Sequence, residues 1–392
     1  MTLARLCLIL ALMAPAAQHG LHAEPYIPSK GSQVVERLPA RVDPVQRELA
    51  GLRAQLSKNP SSIALAAALA RRYIGQARIE GDPRYLGYAE AALAPWWKQP
   101  APPDEILVLR ATLRQSTHQF AAALADLDTV VRRDSGNAQA WLTRATVLAI
   151  TGDFAGAKAS CMRLYSRAPE LVVQTCLSEV GSVSGQARAS YEQLKQALER
   201  HPPADEGVRT WAVTLLAEMA ARVGDDTAAE RYYRQALAQD SADSYLLAAW
   251  ADFLLDHGRA PEVVKLLAGK TRADALLLRY ALALKATGSP NATQAANTLS
   301  DRFEAAMLRG DTVHQREQAR FELGLRNDPA AAVRLAKLNW AVQKEPADLR
   351  ILADAAVASG DREAAALVRD WLKTSGIEDR TITSLQQLKA GA

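Results

Sequence analysis

The amino-acid sequence predicts an all-α protein, a right-handed α-solenoid of about nine helix-turn-helix units. Three observations carry this. Alanine and leucine dominate, while aromatic residues are only 6% of the chain, a balance that favours helix over sheet. A spaced triplet recurs: a small residue, a glycine seven later, and a second small residue five beyond that. The units it marks start near residues 104, 138, 171, 210, 244, 274, 312 and 346, in steps of 30 to 39 residues, the range of helical repeat arrays.

The spacing has a physical meaning. The first small residue lets one helix (A) approach its partner closely, and the glycine ends helix A in a left-handed conformation that side chains disfavour. The second small residue is where the returning helix (B) crosses A. Ala145, Gly152 and Ala157 fit, as do Ser178, Gly185 and Ser190; Ala217, Gly224 and Ala229; and Ala353, Gly360 and Ala365. Ala251, Gly258 and Val263 fit loosely, as do Ala281, Gly288 and Thr293. Two units lack the glycine: Ala111, His118 and Ala123, and Ala319, Arg326 and Ala331.

The unit over 138–171, "AQAWLTRATVLAITGDFAGAKASCMRLYSRAPEL", carries Trp141, Ala145, Gly152, Phe154, Ala157 and Pro169. In these residues the chain resembles the tetratricopeptide repeat family, of the bacterial exported kind. Arg144 departs from that family's usual leucine, and Arg110 does so one repeat earlier. The resemblance implies a scaffold that holds a protein or extended peptide in the concave groove lined by the A helices.

The elements follow in order. Residues 1–23 read as an export signal: Arg5, then the apolar run "LCLILALMAPAA", too short to span a bilayer, then a cleavage site after Ala23. This places the mature protein in the periplasm, with no stable membrane insertion. Residues 24–43, with three prolines and no helical period, read as an extended arm. Residues 44–60 read as an N-terminal capping helix opened by Asp43-Pro44, with Leu49, Leu52 and Leu56 on one stripe. The array itself is expected over 61–375. Its first unit takes Ala68 as the small residue and Gly75 as the turn, then an insertion, "QARIEGDPR", before a helix capped by Asp82 with Pro83 first. Residues 376–392 read as a C-terminal capping helix and tail.

The aromatic stretch "GDPRYLGYAEAALAPWW" has two readings. Trp96 is expected to plug the junction of the first two units. Tyr85, Tyr88 and Trp97 are either packing residues or an aromatic site for a peptide or glycan.

Bulk charge excludes little but favours nothing extreme. The formal net charge is +4, which calls for neither nucleic acid nor a membrane surface as partner. Catalysis finds no motif: the histidines are scattered, and phosphate loop, dinucleotide fingerprint and metal-ligand spacing are absent from the sequence. No enzyme activity, cofactor or metal is therefore expected. Cys161 and Cys176 flank the turn near Pro169 on antiparallel helices, which brings them within reach of a disulfide. In the repeat register, Glu179, Glu218 and Asp252 face the groove from consecutive units as a negative middle, and Arg316, Arg320 and Arg350 form a positive C-terminal patch. The expected function is a non-catalytic protein- or peptide-binding scaffold of the bacterial envelope. The alternative is a substrate-gripping or accessory subunit of an envelope enzyme complex acting on cell wall or transport.

Overall fold

The protein is described from a computed structural model, which covers Lys30, residues 43–200 and residues 205–390. The expected export signal (1–23) and the arm (24–43), save Lys30 and Asp43, lie outside the described residues. By internal contacts the chain divides into residues 1–47 and 48–392; the account below concerns the second unit. The described residues hold twenty helices and no strand, and none of the helices is long and apolar enough to cross a membrane.

After α1 (Pro44–Lys58), eighteen helices form nine antiparallel pairs. The A helices are α2 (Ile63–Glu80), α4 (Asp104–Ser116), α6 (Ala138–Thr151), α8 (Glu170–Ser182), α10 (Glu206–Val223), α12 (Ser244–Asp256), α14 (Asp274–Ala286), α16 (Gln315–Phe321) and α18 (Pro346–Ser359). Their B partners are α3 (Arg84–Trp97), α5 (Phe120–Arg133), α7 (Phe154–Met162), α9 (Ala187–Arg200), α11 (Asp226–Gln239), α13 (Ala260–Leu267), α15 (Ala292–Leu308), α17 (Pro329–Val342) and α19 (Arg362–Ser375), followed by α20 (Ser384–Ala390). Each A helix packs on the next A helix along one side of the array.

The third pair shows how sequence makes the unit. Asn137 caps α6 by accepting from Ala140 N at 3.0 Å, Gly152 ends it at φ +89°, and Asp153 caps α7 by accepting from Gly156 N at 2.8 Å. Ala145 and Ala157 are buried in one cluster with Leu148, Leu164 and Val173. Gly152 has a second duty. A Cβ there would lie 2.6 Å from the Trp371 ring, so the turn also makes room for a distant helix.

The units without glycine find other left-handed residues. His118 stands at φ +57° and stacks on Phe120 at 5.4 Å. In the eighth pair a π-helical turn, Glu322–Arg326, adds a residue, and Asn327 rather than Arg326 takes the left-handed position, at φ +55°. The crossing shifts with it, so that Ala332 is more deeply buried than Ala331.

Three expectations of register are corrected. In the seventh pair Thr293 is exposed and Ala295 is buried. The turn holding Ser289 and Pro290 delays the start of α15, and the crossing residue moves with it. In the ninth pair Ala364 is buried and Ala365 only partly. Among the described residues α19 is followed by α20, against which it packs alongside the apolar residues Ile377, Leu385 and Leu388. In the first pair Gly75 lies inside α2, which runs through most of the expected insertion to Gly81 at φ +61°. Ala68 is half-buried there, whereas Ala66, Ala67 and Ala70 are fully buried. Beyond that turn Asp82 Oδ1 accepts from Arg84 N at 3.1 Å. Pro83, at φ −65°, sits where its missing N–H costs nothing. Trp96 is buried, and α3 ends one residue later, two past Pro95.

Ties between distant pairs bring the array back onto itself. At its beginning, Ser244 Oγ donates to Ile79 O at 2.7 Å, Arg78 pairs with buried Asp243 at 2.7 Å, and Arg272 reaches Glu80 and Asp82. The end of α2 thus rests on the starts of α12 and α14. At the other end, Lys344 N donates to Ile150 O at 2.7 Å, and Trp371 packs on Phe154 at 5.6 Å between ring centres. Gly376 approaches Gly185 backbone to backbone. Arg380 N donates to Arg222 O at 3.0 Å. Residues 376–383 are therefore not helical, as a capping helix over 376–392 would require. They run across the A–B turns of the fourth and fifth pairs, and only Ser384–Ala390 forms a helix.

Cys161, at the end of α7, and Cys176, in α8, form a disulfide with Cα atoms 5.7 Å apart. Closing a loop of this size stabilises by about 3 kcal/mol through the unfolded state. Reduction followed by alkylation should lower the urea midpoint by a corresponding amount, and Cys161→Ala/Cys176→Ala should match it. An unreduced protein with two alkylatable thiols would count against the bond.

Candidate functional site

The six groove residues lie on five A helices of the array, as the repeat register requires. Their surroundings could not be read from any one unit. Asp252 on α12 accepts from Arg279 on α14 at 2.5 Å and pairs with Arg320 on α16 at 2.7 Å. Burial would raise the Asp252 pKa, but these two guanidiniums outweigh it and hold the carboxyl at about 2. The negative middle and the positive patch are thus partly one network. Arg350 on α18 forks onto Asp256 of α12, Nη1 at 2.7 Å and Nη2 at 2.5 Å, skipping the two A helices between. Arg316 donates to Glu345 at 2.8 Å and also meets Asp348 and Glu317. Asp348 is fully buried and is further held by Asn339 at 2.8 Å and Gln343 at 2.9 Å.

Two acids stand differently. Glu179 on α8 makes no side-chain hydrogen bond or ion pair with any described residue. Burial, then the like charges of Glu218 and Glu345, push its pKa up to about 7, against a smaller pull from Arg222. Glu218 on α10 is raised by burial too, eased by Tyr245, whose hydroxyl donates to it at 2.7 Å. Glu345, at the start of α18, is raised by burial despite its bond to Arg316. Arg222 cannot turn to these acids. Its Nε meets Asp379 at 3.3 Å, its Nη1 donates to Ser182 Oγ at 2.8 Å, and the pair is almost wholly buried. Tyr245 is still 59% exposed, so solvent reaches this face even though the protein desolvates its carboxylates.

The aromatic residues divide. Tyr85 and Tyr88 gather with Tyr73, ring centres 5.6–6.1 Å apart, with Tyr85 donating to Glu80 at 3.3 Å. Trp97 is not among them. It lies 5.9 Å from the guanidiniums of both Arg110 and Arg114. The three expected aromatic-site residues therefore do not converge. Tyr73, the third member of the tyrosine cluster, escaped notice because it lies in the preceding helix. No group of His, Cys, Asp or Glu among the described residues is arranged to hold a metal ion.

No protein-family model matches the chain, and neither does any curated protein. Solved structures similar in course include the human IFIT1 dimer with m7Gppp-AAAA, at 13% identity and TM-score 0.45 over 88% of this chain and 86% of that one. A tetratricopeptide repeat protein from Parabacteroides merdae matches at 13% and 0.34, over 78% of this chain and 98% of its own. Yeast Tom70 matches at 12% and 0.35, over 88% and 92%. These are likenesses of helical course. The helix pairs of the chain itself, with Ala145 and Ala157 buried together, make its fold tetratricopeptide-like.

The interior charges generate two predictions. Between its ordinary 4.5 and about 7, Glu179 in the folded chain keeps a proton that the unfolded chain has released. Stability therefore falls as pH rises through that window, by at most about 1.4 kcal/mol per pH unit. Glu179→Gln should remove this fall, so that the variant gains on the wild type between about pH 5 and pH 7.5 in urea unfolding. A constant difference would refute the assignment. Arg320→Glu sets a carboxylate against Asp252 and should cost roughly 2–3 kcal/mol, the lower side of breaking a buried pair because a quarter of each partner stays exposed.

Proposed function

We propose that this chain is a non-catalytic scaffold of the bacterial cell envelope, exported to the periplasm, which holds an extended segment of a partner protein on its A-helix face. A lysine or arginine of that segment meets Glu179 and Glu218. One observation carries the reading. The three arginines of the face are already matched by acids of the chain itself, whereas among the described residues Glu179 has no partner and Glu218 has only a neutral hydroxyl. A desolvated carboxylate without a cation is costly, and a basic group from outside removes that cost. The acids lie on a face that solvent still reaches, with Tyr245 59% exposed, rather than in an apolar cleft, which favours holding a partner over catalysis. The export signal read over 1–23 supports the envelope setting.

The test is capture from periplasmic extract, with wild type and Glu179→Gln/Glu218→Gln compared at about pH 7.5 and identified by mass spectrometry. The wild type should recover a partner through a basic extended segment, and the double variant should recover at least tenfold less while its circular dichroism is unchanged. Equal recovery, or recovery of nucleic acid in place of protein, would overturn the reading. A captured complex containing a cell-wall or transport enzyme would favour the accessory-subunit alternative.

A further inference from the structure

Arginine replaces the family's usual leucine in two successive repeats, and the two copies are housed differently. Arg110 is buried: Nε and Nη2 fork onto Asp126 at 2.8 and 2.7 Å. Arg114 adds a bond to the same carboxylate at 2.7 Å, and Arg110 Nη1 donates to the carbonyl of Trp97, whose ring covers both guanidiniums. That site is full.

One repeat later the arginine recurs as Arg144, but every partner of the set has been exchanged. Counted from the crossing alanines, Ser160 stands where Asp126 stood, Val131 where Trp97 stood, and Leu148 where Arg114 stood. Arg144 is left with Asp128 of the neighbouring B helix at 2.8 Å and Ser160 Oγ at 2.8 Å. The volume that indole and carboxylate fill in the earlier repeat is here an open cavity of about 260 Å³, lined by Val131, Arg132, Trp141, Arg144, Ser160 and Arg163, with Asp128 at its wall. Arg144 and Arg163 both lie within about 6 Å of the Trp141 ring. No carboxylate among the described residues pairs with Arg163, and the only side-chain bond from Arg132 goes to Thr129. Three guanidiniums thus face one acid.

We propose that this cavity binds the carboxylate of an aspartate or glutamate in a partner protein. Arg163 takes the oxyanion and the Trp141 face packs the stem. The size suits a side chain rather than a larger ligand. Asp128 in the wall leaves an excess of two positive charges, which an incoming anion offsets. Tryptophan and arginine together are the residues that anchor protein interfaces. The cavity shares no residue with the Glu179–Glu218 face, and its failure or success is independent of that reading.

The full chain is titrated with a short blocked peptide containing two glutamates, with its diglutamine counterpart, and with inorganic phosphate, at matched ionic strength, reading tryptophan emission. The diglutamate peptide should give a saturable change that is absent in Trp141→Phe. In Arg163→Gln its dissociation constant should rise about tenfold, with thermal unfolding unchanged because Arg163 is exposed. Equal responses to the two peptides, a signal that survives in Trp141→Phe, saturation by phosphate alone, or no saturable response would overturn the proposal.

Discussion

The structure depends on helices that can come very close because nothing larger than a methyl or hydroxyl stands between them. Ala145 with Ala157, Ser178 with Ser190, and Ala217 with Ala229 are all buried where the helices of a pair cross. Core packing is dense enough that even one added methylene is felt. A larger side chain at any of these points would push a pair apart and pass the error to every pair after it. The left-handed residue between the two helices sets the angle at which the second returns. Where glycine is missing, His118 and Asn327 do the same work, because the pair cannot form without that backbone bend.

This local rule is why the architecture was legible. Nine pairs, their order and most of their crossings follow from counting small residues and turns. Three of the misreadings occur where something lengthens a turn or a helix. Pro290 delays α15, the π-helical turn before Asn327 adds a residue, and α2 continues through Gly75 because an interior glycine weakens a helix by only about 1 kcal/mol. Each is an insertion of a few residues, and a fixed count cannot absorb it.

The site was half legible. The register places the six charges on A helices of the array, but their partners belong to helices far away in sequence. Arg350 with Asp256 and Lys344 with Ile150 come together only once the chain has turned back on itself. No periodicity within a unit signals such a meeting. The same applies to Arg110 and Arg144. Both break the pattern in the same way, and only their surroundings show that one is a sealed internal pair and the other the edge of an opening.

Stacks of repeats in general grow and shrink easily, because each unit touches only its neighbours. Here the tip of α2 sits on α12 and α14, and the stretch after Ser375 is threaded over the turns following α8 and α10. Duplicating or losing one pair between those points would carry Ser244 away from Ile79 and Asp379 away from Arg222. The tally of pairs is therefore locked by the clasps at both ends. A descendant of this sequence could vary its loops and surface freely, but could not add a link to the chain of helices without first undoing the buckle.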